Sequence, residues 1–225
     1  MQLLYGVWDD LIGLFFCAGL LVLYHLYLAY QVSVRPTYSV QAVNRIARTA
    51  WVETVMTEQR DILAVQTLRN STMAATFLAS TAILLIIGVL SLSGQSSQLS
   101  NAWHTLNLAD VTNKQIWSTK LLLLLCDLFA AFFCFSMSIR IYTHVSFMIN
   151  VPLNLAHKVI TPLHVALHLN RAGKFYSLGM RAYYFSVPLV FWLFGTGFMI
   201  VSTLLLIVVM FFLDRAPKVL ADDYA

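Results

Sequence analysis

Residues Met73–Leu92 read MAATFLASTAILLIIGVLSL, an uncharged run in which apolar residues follow one another without alternating. A helix needs about 20 mostly apolar residues to cross about 30 Å of hydrocarbon at about 1.5 Å per residue. A barrel strand would instead alternate apolar and polar residues. We therefore predict that this stretch, residues 73–92, crosses a membrane as an α-helix.

Three further stretches have the same character, and we predict spans at residues 11–30, 121–140 and 186–213. The first is interrupted in polarity only by His25, and the third carries one acid, Asp127. The fourth lies within an uncharged run, residues 182–213. The predicted fold class is all-α, an integral membrane four-helix bundle.

The composition supports a membrane protein and argues against a soluble one. Hydrophobic residues make up 60% of the chain and charged residues 11%, whereas soluble domains carry about 25% charged residues. Four spans and their connections use nearly all of the 225 residues, so we predict a single membrane domain, 1–225. The 14 Lys and Arg are neither clustered nor interleaved with aromatic residues, which predicts no nucleic-acid partner.

The basic residues predict the orientation. Connections 34–70 and 144–181, with the residues bordering them, hold ten: Arg35, Arg45, Arg48, Arg60, Arg69, Arg140, Lys158, Arg171, Lys174 and Arg181. The outer connection, 93–118, is rich in Ser, Asn and Gln. By the positive-inside rule both basic connections are cytoplasmic, so we expect both termini outside and a bacterial inner (cytoplasmic) membrane.

Both cytoplasmic connections are predicted to contain amphipathic helices. From residue 40 to 68, apolar residues such as Val43, Ala47 and Trp51 recur at helical spacing between charges. The second connection has two helical pieces broken near Pro152 and Pro162. Together they predict a cap on the cytoplasmic side.

Asp127 is the most informative single residue. A carboxylate inside a span costs about 2.5 to 3.5 kcal/mol on insertion scales, so something must offset that cost. One interpretation is a proton or cation site. The alternative, which we favour, is a protonated Asp127 hydrogen-bonded to a neighbouring helix.

Histidines raise the question of a metal or haem. His25 and His144 form a candidate haem pair on two helices, but their predicted depths differ by about 13 Å. His157, His164 and His168 are weak metal candidates, the last two at the i, i+4 spacing that shares a helix face. No Glu follows His164, so the HExxH motif is absent. We predict neither metal nor cofactor, with bound lipid as the one ligand left open.

Other polar and small residues are candidates for contacts. Arg140, His144, Arg69 and Asn70 either bind lipid headgroups or a partner, or simply extend to the interface, which we favour. Small residues form two ridges on the second span and a pair on the fourth: Ser71, Ala75 and Ala79; Thr72, Thr76 and Ser80; Gly195 and Gly197. Such spacing lets helices approach closely, so we predict burial in protein and a homo-oligomer or other membrane subunits as partners. The glycine pair predicts a close contact or a local kink.

Three stretches resemble a known family. They are Ile62–Ala82 (ILAVQTLRNSTMAATFLASTA), Lys120–Asn150 and Asn170–Phe194 (NRAGKFYSLGMRAYYFSVPLVFWLF), about a third of the chain. The chain resembles domain of unknown function 599, a family of small polytopic membrane proteins. The resemblance implies a four-span membrane fold and brings no activity.

Three functions compete. We rank first a non-enzymatic structural or accessory subunit, because the sequence shows no nucleotide, metal or nucleophile motif. The second is an ion, proton or small-solute transporter or channel that uses Asp127. The third is a haem or metal redox protein that uses His25 and His144.

Overall fold

A computed structural model describes residues 2–35, 37–94, 114–153 and 160–216. Within these ranges it contains six helices and no strand: α1 (Gln2–Val34), α2 (Val40–Glu58), α3 (Asp61–Gly94), α4 (Lys114–Met148), α5 (Pro162–Trp192) and α6 (Thr196–Asp214). The all-α prediction is confirmed. Four helices, α1, α3, α4 and α6, are long and apolar enough to cross a membrane.

Helix α3 begins earlier than the sequence predicted. The preceding helix, α2, is capped by Ser39, whose hydroxyl accepts the Ala42 N–H at 3.2 Å, and it ends at Gln59 in a left-handed conformation with φ of 54°. Helix α3 then starts at Asp61 rather than near residue 73. Its 34 residues extend about 51 Å, so α3 is much longer than a hydrocarbon layer is thick.

Helix α5 was not predicted as one element. It joins most of the predicted cytoplasmic connection 144–181 to the first residues of the predicted fourth span, and Pro188 lies inside it without ending it. The helix runs antiparallel to α4. Near its start the Ala172 carbonyl accepts the Ser138 hydroxyl, and at its end the Trp192 carbonyl accepts the Lys120 ammonium.

The uncharged run 182–213 is divided at Gly195. This residue has φ of +141°, a conformation that a side chain would strain, and it lets the chain reverse from α5 into α6. Helix α6 returns along the bundle. Its first residue, Thr196, donates to Asp10 of α1, whereas its last residue, Asp214, accepts the Tyr24 hydroxyl.

Within the described residues, the ends of α6 are placed differently from the predicted layout, which has both termini on one side. Asp10 and Tyr24 lie about 21 Å apart along α1, so the two ends of α6 lie at opposite ends of the bundle. Arg215, which follows α6, pairs with Ser39 at the start of α2. Five helices therefore run along the bundle, and residue 214 lies at the end opposite to Asp10.

Helices α3, α4 and α5 form the centre of the bundle, where Ala79, Ala131, Phe135 and Ala182 pack together. Helix α6 packs on α5, and α1 packs on α6. A Cβ at Gly13 would lie 2.2 Å from the Thr196 methyl carbon, so the missing side chain permits the close approach of α1 and α6.

Helix α2 closes one end of the bundle. Val52, Val55 and Met56 are buried against α3, α4 and α5, while most of the remaining surface of α2 is exposed. Of the apolar residues whose spacing predicted this helix, Trp51 is partly buried, whereas Val43 and Ala47 are exposed. We call this end, with α2 and Asp214, the basic end, and the other, with Asp10 and Lys120, the far end.

Candidate functional site

The far end contains a closed polar network built on an ion pair. The Lys120 ammonium lies 3.0 Å from the Asp10 carboxylate, and their side chains are only 11% and 14% exposed. The same carboxylate oxygen accepts the Trp192 indole N–H at 2.8 Å and the Thr196 hydroxyl at 2.7 Å. Lys120 also donates to the Trp192 carbonyl at 3.2 Å and lies 5.1 Å from that residue's ring centre. Each charge has several partners within the chain.

The basic end contains a cavity of about 930 Å³ between α1, α2 and α5. We call it the basic cavity. Five cationic side chains line it: Arg45, Arg48, Arg171, Lys174 and Arg181. The neutral polar residues of the lining are His25, Ser39, Gln41, Asn44, Asn170 and Ser177. Among the residues that the structure describes, no acidic residue is part of this lining.

Arg48 is held in place without an ion pair among the described residues. Its Nε donates to the Asn170 carbonyl oxygen at 3.0 Å, and the Asn170 amide donates to the Thr49 hydroxyl at 3.1 Å. A Cβ at Gly173 would lie 2.5 to 3.0 Å from the guanidinium atoms, so the glycine lets Arg48 lie directly on α5. Burial lowers the pKa of Arg48, but a guanidinium remains protonated at neutral pH.

Arg181 differs from Arg48 because it has a carboxylate partner. Its Nη2 donates to both Asp214 oxygens at 3.1 Å, and the Tyr24 hydroxyl donates to Asp214 at 2.9 Å. The Arg181 and Asp214 side chains are only 16% and 15% exposed. Asp214 therefore offsets one of the five cationic charges that line the cavity.

One wall of the basic cavity is apolar. Leu28, Ala29 and Val32 of α1 face the cationic residues of α2 and α5 across the cavity. Guanidinium and ammonium groups with neighbouring amides and hydroxyls can bind an oxyanion such as phosphate, which arginine matches in a two-pronged geometry. The site is therefore suited to an anion, with an apolar surface beside it.

Asp127 is partly buried in α4, and its Oδ2 is shielded from solvent without a hydrogen-bond partner among the described residues. The hydrogen bond from Asp127 to a neighbouring helix stays a prediction, and it would use Oδ1. Asp127 and the basic cavity are not brought together, since α1, α2 and α5 line the cavity and Asp127 belongs to α4.

His25 and His144 contact different residues. His25 packs on Phe185, and its Nδ1 lies 2.7 Å from the Leu21 carbonyl. His144 instead packs on His168 with ring centres 5.5 Å apart, and His164 lies 4.7 Å from His168. The described residues contain no group of three side chains arranged to hold a metal ion. His157 lies outside the described residues.

The small-residue ridges of α3 have different surroundings. In the first ridge Ala75 and Ala79 are buried and Ser71 is partly buried; in the second Thr72 is partly buried and Thr76 and Ser80 are exposed. The hydroxyls of Ser71 and Thr76 donate to carbonyls of their own helix. Asn70 and Arg140 are also exposed, and a Cβ at Gly197 would meet nothing within 4 Å.

The sequence did not predict the basic cavity, although all of its cations had been counted for orientation. Arg48 and Asn170 hydrogen-bond across 122 positions of sequence, which no spacing pattern reveals. The far-end pair had a usable signal, because Asp10 and Lys120 both stand at the outer ends of predicted spans and hence at similar depth.

The helices define a class, that of helical membrane proteins, because four of them are long and apolar enough to cross a bilayer. The chain belongs to the family of proteins of unknown function DUF599, whose model matches residues 12–219. The resemblance seen in the sequence is thus confirmed. No curated protein and no solved structure matches the chain.

Proposed function

We propose that this protein is a non-enzymatic accessory protein of the cytoplasmic membrane that binds a phosphate-bearing anion in its basic cavity. One observation carries the proposal: five cationic side chains line a single cavity, and none of the described residues that line it is acidic. Like charges gathered in this way repel one another, and a bound anion would relieve that repulsion.

The distribution of charge supports an orientation with the basic end in the cytoplasm. Arg215 lies at the same end as the arginine-rich α2, whereas Lys120 lies at the far end. This arrangement agrees with the positive-inside rule better than a layout with both termini outside. It makes α5 a fifth crossing helix, carried through the membrane by its contacts with α4.

The chemistry of the lining supports binding rather than catalysis. Its hydroxyls belong to Ser39 and Ser177, and neither has a carboxylate in the lining that could orient a general base. The Ser39 hydroxyl already accepts the Ala42 N–H at the start of α2. Cations, amides and a capping hydroxyl are suited to holding an anion in place.

Thermal unfolding of the detergent-purified protein tests this function. We expect either sodium pyrophosphate or dihexanoyl phosphatidylglycerol to raise the Tm, because a ligand that binds only the folded state stabilises it. The variant R45Q/K174Q, which alters two exposed cavity residues, should lose that increase. R60Q/R69Q is the matched control, since both arginines are exposed at the same end and line no part of this cavity.

Two results would overturn the proposal. One is a Tm that neither probe raises. The other is an equal increase in R45Q/K174Q and in R60Q/R69Q, since anions would then act on the general surface charge.

A second candidate function is an ion or proton path, and the observation that favours it is the shielded Oδ2 of Asp127, which has no hydrogen-bond partner among the described residues. A carboxyl group in a span commonly marks such a path. Proton flux into liposomes containing the protein should then fall in D127N, while R45Q/K174Q should not affect it. Equal flux in D127N and in the parent protein would remove this candidate.

Assembly with a second copy or a larger complex is the remaining part of the proposal. The exposed hydroxyl residues of α3, Thr76 and Ser80, support it, because hydroxyl groups can hydrogen-bond across helix interfaces in a membrane. Native mass spectrometry should show an oligomer that T76L/S80L weakens. A monomer alone at all protein concentrations would contradict this part and leave anion binding untouched.

A further inference from the structure

We infer that the anion is the phosphate of a phospholipid, with the glycerol and first acyl carbons lying against the apolar wall of the basic cavity. This inference rests on the proposed function, because it names the ligand of the same site. The juxtaposition of cations on α2 and α5 with aliphatic side chains on α1 carries it.

The apolar wall belongs to one face of α1. Leu28 and Val32 are four residues apart, a spacing that places them one above the other on a helix, and both are partly buried. A free phosphate would gain no binding energy from this apolar wall, because it has no apolar surface to bury there. An amphiphile gains from both walls, since its phosphate meets the cations while its carbon chain covers the aliphatic side chains.

The depth of the site fits a lipid headgroup. Leu28 and Val32 lie in the last two turns of the candidate span Trp8–Val34, where hydrocarbon gives way to headgroups. Tyr27 and Tyr30 in the same turns are 43% and 67% exposed, and tyrosine is enriched at this boundary. Basic pockets between membrane helices on the cytoplasmic side are suited to anionic headgroups.

The charge balance favours an anionic lipid over a zwitterionic one. Asp214 engages Arg181 alone, so the other four cations of the lining retain a surplus of positive charge. Lys174 and Arg45 are exposed and able to follow a headgroup, while Arg48 is fixed by Asn170 and by its contact with Gly173. Phosphatidylcholine would bring a choline cation into this surplus, whereas phosphatidylglycerol would not.

Native mass spectrometry from a non-ionic detergent tests the inference. The wild-type protein is titrated with dioleoyl phosphatidylglycerol, with dioleoyl phosphatidylcholine and, separately, with glycerol 3-phosphate, which has the phosphate without the chains. We expect phosphatidylglycerol to bind at least tenfold more tightly than either of the others.

Three double variants identify the source of the phosphate. L28A/V32A shortens the apolar wall and should weaken phosphatidylglycerol binding about five- to tenfold. L26A/Y30A is its control, because these residues have the same spacing at the same depth and do not line the cavity. R45Q/K174Q should weaken phosphatidylglycerol binding by a similar or larger factor.

The outcomes separate the two proposals. One outcome would overturn the lipid and retain the anion site. In it, glycerol 3-phosphate binds as tightly as phosphatidylglycerol, L28A/V32A leaves the affinity unchanged, and R45Q/K174Q lowers it. Equal binding of phosphatidylcholine and phosphatidylglycerol, unaffected by R45Q/K174Q, would overturn both. Weaker phosphatidylglycerol binding in L28A/V32A and in R45Q/K174Q, but not in L26A/Y30A, would support both.

Discussion

At the far end of the bundle one ammonium and one carboxylate meet at 3.0 Å and share further partners, whereas at the basic end five cations surround a cavity and one carboxylate engages a single one of them. The far-end pair is complete within the chain, so its role is to hold α1, α4 and the α5–α6 turn together. The basic end keeps an excess of positive charge, which a partner from outside the chain can neutralise. The far-end charges therefore have a structural role, and we propose a binding role for those of the basic end, where Arg45, Arg171 and Lys174 are exposed.

The largest effect should come from breaking the far-end pair. K120M leaves Asp10 shielded and without its cation, and loss of one partner from a buried pair costs about 3 to 5 kcal/mol. The free energy of unfolding in sodium dodecyl sulfate titrations measures the loss. The double variant D10N/K120M should recover part of it, and the Tm increase caused by the anionic probes should be unchanged. A loss below about 1 kcal/mol would show that the pair is not structural.

The next largest effect should come from Asp214, and it tests whether this residue both stabilises the fold and influences anion binding. D214N removes charge-assisted hydrogen bonds from Arg181 and Tyr24 and should lower stability by about 1.5 to 3 kcal/mol. The same change removes the carboxylate that engages Arg181 beside the cavity, so affinity for an anion should rise about three- to tenfold. Native mass spectrometry with phosphatidylglycerol measures the second effect. Lower stability and lower affinity together would mean that Asp214 mainly positions Arg181.

Two glycines of α5 provide a matched comparison of packing and binding. In G179A the new Cβ would lie 2.8 Å from the buried Phe135 ring, so we expect a loss of about 1 to 3 kcal/mol. In G173A the Cβ meets the end of the flexible Arg48 side chain, which can move away. G173A should therefore change stability less than G179A but weaken anion binding more. If the same variant showed the larger loss both of stability and of anion affinity, separate roles for Gly173 and Gly179 would be contradicted.

The smallest effect concerns pH at the basic end. Burial, and after it the nearby His164 and His144, lower the pKa of His168 below its ordinary value of 6.5. The unfolded chain then binds more protons than the folded one just below pH 6.5, so stability should fall as the pH decreases through that region. Tm measured between pH 8 and 5 should show this fall, and H168Q should reduce it. An equal slope in H168Q would exclude His168 as the cause.

The sequence was sufficient for the apolar middle parts of α3 and α4. Residues 73–92 and 121–139 are apolar over a full membrane thickness, and no tertiary contact is needed to identify them. The helical spacing of Val43, Ala47 and Trp51 also predicted a helix, although Val43 and Ala47 are exposed rather than buried. What these patterns did not give was the extent of α3 and α4, since their ends outside the bilayer are no longer marked by hydropathy.

The sequence predicted a close contact or a local kink at Gly195 rather than a full turn, because no charge interrupts the run 182–213. A hydropathy profile detects the end of a span by its charged residues. The chain reverses at Gly195 through a positive φ, which leaves no charge in the sequence. Length was the available signal, since 32 residues extend about 48 Å as one helix, well beyond about 30 Å of hydrocarbon. With that turn misplaced, Asp214 and Arg181 fell on opposite sides of the membrane, and the basic cavity could not be assembled from the sequence.

The polar character of α5 bears on how the protein is made. Helix α5 carries Arg171, Lys174 and Arg181 and is not among the helices apolar enough to cross a membrane alone, whereas its neighbours α4 and α6 are. We therefore expect the translocon to retain α5 until α6 has been synthesised, so that the two enter lipid as a hairpin. Chains truncated after Trp192 and released from the ribosome should leave α5 open to protease, and full-length chains should protect it.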